Sequence, residues 1–173
     1  PGSPVAEIRA YLDRRGTTPA GHTEGVTTAH AVRSIDDALC FYVDVLGFDV
    51  WMDTIFTHAE GNRLLSLPDD ARSRITFVKG EHPYGKIALI QGLDYEPVDL
   101  VPRAEPPAVG YLAMAFEVDD LEGTLGAMTG GGGAVWSPPV EVELPGFGRR
   151  RAAVVHTPGS GALTQLIQAR ETD

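Results

Sequence analysis

The 173-residue sequence contains one cysteine, few basic side chains and no run of about 18 apolar residues. A single cysteine excludes an internal disulfide, so Cys40, which lies in a helical stretch, is interpreted as a small, partly buried residue. The 14 basic and 24 acidic side chains give a formal net charge of −10, which repels phosphate backbones and anionic lipid headgroups. Nucleic acid and membranes are therefore not expected as partners.

A secretion signal is also lacking, because the first residues show no basic start, apolar middle and small-residue cleavage site. A cytoplasmic location is therefore expected. Residues 1–3 look like the remnant of a cleaved purification tag and carry no weight in the fold prediction. The full sequence has the apolar fraction (43%) and charged fraction (22%) of a globular protein, and its length fits one domain.

Two segments near the start have apolar residues at the spacing of an amphipathic helix. Residues 5–14 are predicted to form a short helix that ends before Gly16, followed by a loop. Residues 34–46 are predicted to form a second helix, with Ser34 as its N-cap and Gly47 as its stop.

Most other regular segments alternate apolar and polar residues, which is typical of strands. Before the proline-containing linker at 93–109, the predicted strands are 25–32, 48–56, 74–79 and 86–91. After it they are 111–118, 134–136, 149–156 and 163–168, with a helix at 119–128 behind the first of them. Residues 130–133, all glycine, follow that helix and open no second one, so they are interpreted as a turn rather than a phosphate-binding loop.

The two halves of the sequence repeat each other. At an offset of 86 residues, Val32 and Leu39 align with Val118 and Leu125, and at an offset of 77 the segment 89–91 (Leu-Ile-Gln) aligns with 166–168. We therefore predict an α+β fold of two βαβββ modules. Their predicted bounds are 25–92 and 110–169, with an extra N-terminal helix and loop at 4–24 and one domain overall.

The segment from Val32 to Phe48, VRSIDDALCFYVDVLGF, resembles the opening of proteins of the vicinal oxygen chelate superfamily, which includes glyoxalases, bleomycin-resistance proteins and extradiol dioxygenases. The segment from Tyr111 to Leu121, YLAMAFEVDDL, resembles the start of the family's second module. The resemblance implies that the two modules pair curved sheets into a glyoxalase-like cleft. Catalytic members bind a divalent metal there through His, Glu or Gln from the first and last strand of each module.

Under this resemblance, the four family ligand positions fall on Thr27, Ala88, Ala113 and Gln165. Methyl groups offer no lone pair, a threonine hydroxyl is a poor ligand for a transition metal, and one amide cannot hold such an ion alone. No metal site and no cofactor are therefore expected. The alternative is a divalent metal held by another set, in which a bulge in the first strand gives His30 a site role together with Gln165.

Without a bulge, strand alternation places His30 on the helix side, as a buried histidine. The other histidines show no spacing that suggests a metal site; they are His22, His58, His82 and His156.

Strand alternation also predicts which residues line the cleft. They are mostly small and apolar: Thr27, Ala29, Ala31, Ala88, Ile90, Ala113, Ala115, and with them Glu117 and Gln165. Space lined by methyl groups favours a partly hydrophobic organic small molecule, unless neighbouring side chains fill it. The carboxylate of Glu117 and the amide of Gln165 are the candidate catalytic groups, able to orient a ligand or move a proton.

The leading hypothesis is a metal-free protein that binds such a molecule, for sequestration or for metal-independent cyclisation, epimerisation or elimination. Whether the chain is an enzyme stays open. One alternative is a metal-dependent lyase, isomerase or dioxygenase of the same superfamily, and another is a non-catalytic interaction scaffold. Residues 149–151, three arginines, have the donors to bind a ligand carboxylate or phosphate, but a solvated strand edge is favoured. A homodimer is expected, as in many family members.

Overall fold

The structure is a computed structural model that describes Ala6, Ala10 and residues 19–21, 27–81, 86–146 and 148–170. Ala6 and Ala10 are helical, and the rest of the helix predicted at 5–14 lies outside the described residues. His22 and His82 also lie outside them.

The order of helices and strands repeats the pattern βαβββ. In chain order the elements are β1 (Thr28–Ala31), α1 (Ile35–Leu39) continued by a π-helical turn (Cys40–Val45), β2 (Asp49–Phe56), α2 (Ala59–Leu64), β3 (Ser73–Lys79), β4 (Ile87–Gly92), a 3-10 turn (Val101–Arg103), β5 (Ala113–Val118), α3 (Leu121–Gly130), β6 (Ala134–Leu144), β7 (Gly148–His156) and β8 (Leu163–Gln168). The predicted α+β class with two such modules is confirmed, and α2 is an addition to the first.

The first compact unit comprises residues 1–31 and 48–95 and contains a four-stranded sheet in the order β1-β4-β3-β2. β1 pairs in parallel with β4, and the other pairs are antiparallel. One face of the sheet carries Val78, Ile87 and Leu89, which are at most 2% exposed. Burial of each such side chain contributes roughly 1.5–3 kcal/mol to stability.

The second compact unit comprises residues 32–47 and 96–173, and its sheet has the equivalent order β5-β8-β7-β6. β5 pairs in parallel with β8, and the other pairs are antiparallel. Asp120 begins α3 by accepting a hydrogen bond from the N–H of Gly123 at 3.0 Å. Leu121, Leu125 and Met128 then form the buried stripe of this helix.

Helix α1 begins and ends where the sequence predicts. The Oγ of Ser34 accepts a hydrogen bond from the N–H of Asp37 at 3.1 Å, and Gly47 follows the π-helical turn with a φ of +70°. Ile35 and Ala38 on its inner stripe are at most 1% exposed. Cys40 is half-buried in this segment.

This helix groups with the second unit, although it lies in the first half of the chain. Phe41 and Tyr42 each meet the ring of Phe116 on β5 edge to face, at centroid distances of 6.5 Å. The N–H of Arg33 donates to the carbonyl of Gly159 at 2.8 Å. The compact units thus differ from the sequence modules by one helix, and the predicted domain bounds stay a prediction.

The internal repeat reappears in the pairing of the strands. In the first sheet one row across the strands is Ala29, Ala88, Phe77 and Met52. In the second sheet the row Ala115, Gln165, Val154 and Ser137 pairs in the same order. Equivalent positions in the sequence therefore occupy equivalent positions in each sheet.

Three elements differ from the sequence prediction. Strand β6 extends over 134–144 rather than 134–136, because it is an edge strand whose register shifts between Ser137 and Val140 take up Pro138 and Pro139. The short helix α2 is not predicted; the side chain of Asn62 fixes it by donating to the carbonyls of Asp69 and Ala71. The 3-10 turn at 101–103 lies in the linker, where no regular element is expected.

None of the helices in the described part of the chain has the length and apolar character needed to cross a bilayer.

Candidate functional site

One face of the first sheet is lined with small side chains. Ala29 and Ala31 of β1 are exposed, and their cross-strand neighbours on β4 are Ala88 and Ile90. Thr27 precedes β1, and its hydroxyl donates a hydrogen bond of 2.9 Å to a backbone carbonyl just before β4. The structure therefore places the predicted residues of this half on adjoining positions of one face, which we call the small-residue face.

His30 lies on the opposite face of this sheet. It pairs with Leu89, while its neighbour Ala29 pairs with Ala88, and β1 pairs with β4 without a register shift. No bulge turns the imidazole towards Ala88, so the alternative that gives His30 a site role is not supported by this geometry. Burial lowers the pKa of His30 below its ordinary value of 6.5, as expected for a histidine packed inside the protein.

A cluster of aromatic and cationic side chains adjoins the small-residue face of the first sheet. The β2–β3 register passes from Val50 to Met52, so Trp51 occupies a β-bulge. Its ring meets Phe77 edge to face at 6.1 Å, and Lys79 Nζ and Lys86 Nζ lie 5.4 Å and 5.6 Å from its centroid. These four residues, Trp51, Phe77, Lys79 and Lys86, are called the Trp51 cluster.

The second sheet has an equivalent small-residue face. Ala115 pairs with Gln165, which pairs in turn with Val154. Glu117 lies two residues further along β5 and is exposed, whereas Ala113 and Gln165 are half-buried. Both candidate catalytic groups, Glu117 and Gln165, thus lie on the same face of one sheet. They are on adjacent strands, and Glu117 is two residues beyond the position opposite Gln165.

His156 also lies on this face, and the sequence prediction missed it. It pairs with Leu163, two residues before Gln165 on β8. Its Nδ1 lies 2.7 Å from the carbonyl oxygen of Gly161 and therefore donates the proton of this hydrogen bond. Its Nε2 lies 3.8 Å from a carboxylate oxygen of Glu105. The ring is therefore held in one orientation, which is what proton transfer through Nε2 requires.

A second tryptophan bulge repeats in this sheet. The register of β6 and β7 passes from Val135 to Ser137, so Trp136 occupies the bulge, 43% exposed. In both sheets the bulged tryptophan follows a valine, at sequence positions 85 residues apart. This repeated Val-Trp pair is the sequence signal that could have identified both positions.

The three arginines at 149–151 divide between the two faces of β7. Arg149 and Arg151 pair with Glu141 at 3.2 Å and Glu122 at 2.7 Å. Arg150 points to the small-residue face; its Nη1 donates to a backbone carbonyl at 2.9 Å, and its buried Nε has no hydrogen-bond partner among the described residues. This segment extends beyond the pairing with β8, which ends at Ala152. Two of its three arginines form ion pairs with nearby carboxylates.

The family ligand positions do not provide a metal-binding set. Thr27 and Ala88 on the first sheet present a hydroxyl and a methyl group, and Ala113 and Gln165 on the second present a methyl group and an amide. Within the described residues, no group of three or more His, Cys, Asp or Glu side chains is arranged to hold a metal ion. The residues at these positions therefore do not fit a divalent transition metal.

Comparison with known proteins gives the family of this fold. The model of the Glyoxalase/Bleomycin resistance protein/Dioxygenase superfamily matches residues 21–148. By sequence, the chain matches no curated protein significantly. Among solved structures, a glyoxalase family protein from Bacillus cereus is 20% identical, with a TM-score of 0.71 over 82% of this chain and 91% of that one.

Two further structures are similar. A glyoxalase family protein from Enterococcus faecalis is 18% identical, with a TM-score of 0.56 over 84% of this chain and 97% of that chain. Glyoxalase I from Zea mays is 16% identical, with a TM-score of 0.58 over 84% of this chain and 44% of that chain. At such identities the likeness concerns the fold, and function has to be argued from the residues of the site.

Proposed function

Since this chain belongs to the glyoxalase/bleomycin resistance protein/dioxygenase superfamily, we propose that it binds a partly hydrophobic organic small molecule without the help of a metal. The observation that carries the proposal is the chemistry of the four family ligand positions. Two methyl groups, one hydroxyl and one amide replace the usual ligands, so these positions lack the donor set that a divalent transition metal needs. No cofactor is proposed.

The small-residue faces support the binding of an organic molecule. Ala29 and Ala115 are exposed at equivalent positions of the two sheets, and each is followed across the sheet by an apolar or amide side chain, Ala88 or Gln165. Exposed apolar surface of this kind favours contact with a hydrophobic ligand by about 25 cal/mol per Å² that is removed from water. Glu117 and Gln165 add the few polar groups that orient a ligand in such sites.

Metal analysis tests the first half of the proposal. The protein is purified without chelators, and its Ni, Zn, Fe and Mn contents are measured by mass spectrometry. We expect far less than one metal per chain and no rise in melting temperature when these ions are added. A stoichiometric, tightly held metal would overturn the metal-free proposal and favour a metal-dependent lyase, isomerase or dioxygenase.

A thermal-shift screen against hydrophobic metabolites tests the second half, because a ligand that binds the folded state must raise its stability. For any compound that raises the melting temperature, the double variant Ala29→Phe with Ala115→Phe fills both small-residue faces and should abolish the rise in melting temperature. Ala127→Phe, at an exposed position of α3, adds the same ring elsewhere and should preserve it. A library without any stabilising compound would contradict ligand binding and favour an interaction scaffold.

Binding could serve either to sequester the molecule or to convert it. The orientation of His156 favours conversion by a metal-independent proton transfer, as in an epimerisation or cyclisation. A histidine whose Nδ1 is held by the carbonyl of Gly161 keeps Nε2 for exchange of a proton. His156→Gln should leave the thermal shift by a bound compound intact and abolish its conversion, measured by liquid chromatography and mass spectrometry. Unchanged conversion would exclude His156 as the catalytic group.

The homodimer expected from the family resemblance also belongs to the proposal. Light scattering coupled to size-exclusion chromatography measures it directly.

A further inference from the structure

The Trp51 cluster combines three features on one face of the first sheet: a re-aimed indole, two ammonium groups and small apolar neighbours. β-Bulges of this kind commonly redirect a side chain next to a functional site. The contact with Phe77 shows the direction taken by Trp51, because Phe77 pairs with Ala88 and so belongs to the small-residue face.

The two ammonium groups are the second feature. The β3–β4 register runs to Val78 and Ile87, so Lys79 and Lys86 follow at directly opposite positions. Like charges at opposite positions of a sheet destabilise it by a few tenths of a kcal/mol or more. The face of Trp51 offsets part of this repulsion through cation–π attraction. An anion that contacts both groups would reduce this repulsion further.

The charge distribution of the chain makes this pair unusual. The sequence has a net charge of −10 and contains two lysines, both of which lie beside Trp51. Lys79 pairs across the strands with Asp49, yet no ion pair to Lys79 is formed by any residue that the structure describes. In a chain that repels anions overall, a local pair of ammonium groups is what an anionic ligand needs in order to bind.

The apolar surroundings are the third feature. The row that leads away from the cluster passes from Phe77 to Ala88 and Ala29. Ala29 is exposed and Phe77 is half-buried, whereas Ala88 between them is only 4% exposed. A flat apolar body lying against Ala29 and Phe77 would keep an attached carboxylate near Lys79 and Lys86 and bring its edge or face against Trp51. Aromatic rings favour such offset or edge-to-face contacts by about 0.5–1.5 kcal/mol beyond their buried area.

We infer that the Trp51 cluster is the subsite for the charged group of the ligand, and that the ligand is a flat organic anion, such as an aromatic carboxylate, sulfonate or phosphate. This inference rests on the proposed function for the site of the apolar body. It adds the class of the ligand and assigns Trp51, Lys79 and Lys86 as the residues that select it.

The experiment compares two probes of nearly the same shape, the anion 1-naphthaleneacetate and the neutral 1-naphthaleneacetamide. Protein labelled with ¹⁵N at lysine and at tryptophan gives two lysine amide signals and two indole signals, because the sequence contains two residues of each type. Naphthaleneacetate should shift both lysine amides and the indole N–H of Trp51. Its Kd should be about tenfold below that of the amide, which corresponds to about 1.4 kcal/mol.

The double variant Lys79→Gln with Lys86→Gln should raise the Kd for naphthaleneacetate about tenfold and leave that for the amide unchanged. Lys79→Arg with Lys86→Arg keeps the charge and should retain most of the preference for the carboxylate. Arg63→Gln with Arg149→Gln changes the net charge equally at exposed positions and should not affect either probe. Melting temperatures establish that the variants are folded.

Equal affinities of the two probes would overturn the anion subsite and leave ligand binding standing. The same holds if Arg63→Gln with Arg149→Gln weakens the binding of naphthaleneacetate as much as Lys79→Gln with Lys86→Gln does. Failure of naphthaleneacetate to shift the lysine signals would also overturn it. The thermal-shift screen and the metal analysis decide the proposed function separately, so the two failures are distinguishable.

Discussion

The two sheets share one architecture and carry different chemistry at equivalent positions. Trp51 and Trp136 occupy the same bulge in each sheet. Lys79, beside the first tryptophan, corresponds in the pairing to His156 in the second sheet. The Trp51 cluster is cationic, whereas the imidazole of His156 is hydrogen-bonded to a carbonyl and faces the carboxylate of Glu105.

The opposite faces of the sheets differ as well. His30 of β1 and Phe116 of β5 are equivalent, since Ala29 and Ala115 precede them in equivalent rows. Phe116 packs against the aromatic side chains of α1, which belongs to the same compact unit. His30 belongs to the first unit, which does not include this helix. The duplicated backbone therefore sets where side chains point, and a few substitutions set whether a face packs a helix, holds a charge or moves a proton.

The largest effect on stability is expected from disrupting the contact between α1 and the rest of the second unit. Gly159 has a φ of +75°, and a Cβ there would lie 2.4 Å from the carbonyl oxygen of Ser34 and 2.7 Å from the N of Ala38. Gly159→Ala combines backbone strain with a clash against backbone atoms and should lower the free energy of unfolding by about 3 kcal/mol. Urea denaturation measures the change.

Gly126→Ala is the matched control, because a Cβ at this position of α3 meets nothing within 4 Å. Alanine is the better helix former, so this variant should be about 0.5–1 kcal/mol more stable. If Gly159→Ala were as stable as the wild type, the β7–β8 turn would not be what holds α1.

The next effect concerns the pH dependence of stability that His30 gives to the first sheet. Its pKa is lowered by burial, so below pH 6.5 the unfolded state binds a proton that the folded state resists. Stability should therefore fall as the pH drops below this value, with a slope of up to about 1.4 kcal/mol per pH unit. His30→Phe, which installs the residue of the second sheet, should flatten this slope between pH 5 and 7.

The carboxylate of Asp53, which lies on the same face of the first sheet as His30, titrates in a more acidic range. The hydrogen bonds from Arg74 lower the pKa of Asp53 below 3.8, so stability from this carboxylate is lost only in more acidic solution. His58→Gln removes an exposed imidazole and serves as the control. A slope that survives in His30→Phe would assign the pH dependence to another residue.

The smallest effect separates the two tryptophans. Trp51 is half-buried and packs on Phe77, whereas Trp136 is 43% exposed. Trp51→Phe should cost about 1 kcal/mol and Trp136→Phe less than about 0.5 kcal/mol, both measured by chemical denaturation. Equal losses would mean that the bulges are energetically alike and that the Trp51 cluster is not the better packed of the two.

The elements with strong local signals are those that the sequence predicts. The spacing of apolar residues and the cap of Ser34 identify α1, and alternation identifies the four strands from 48 to 118. The partner of α1 is not predictable in this way, because Phe116 and Gly159 reach it only through the tertiary fold. Local propensity is likewise overridden in β6, where an edge position with bulges tolerates two prolines.

For the candidate site, alternation correctly groups residues that share a strand, such as Ala29 and Ala31. It fails at the bulges, because the extra residue shifts the alternation and the positions around Trp51 cannot be assigned to a face by counting. It also gives no distance between strands remote in sequence, so His156 beside Glu105 and the two lysines beside Trp51 are visible only in three dimensions.

The placement of both lysines beside Trp51 also governs how the protein tolerates covalent chemistry. Every other basic side chain apart from histidine is an arginine, so the ε-amines open to acylating esters or aldehydes are the two in the cluster. Coupling the protein to a surface through its lysine side chains would modify the proposed anion subsite, and a sample attached in this way should no longer bind an organic anion there. A sample attached through a tag at either end would keep it.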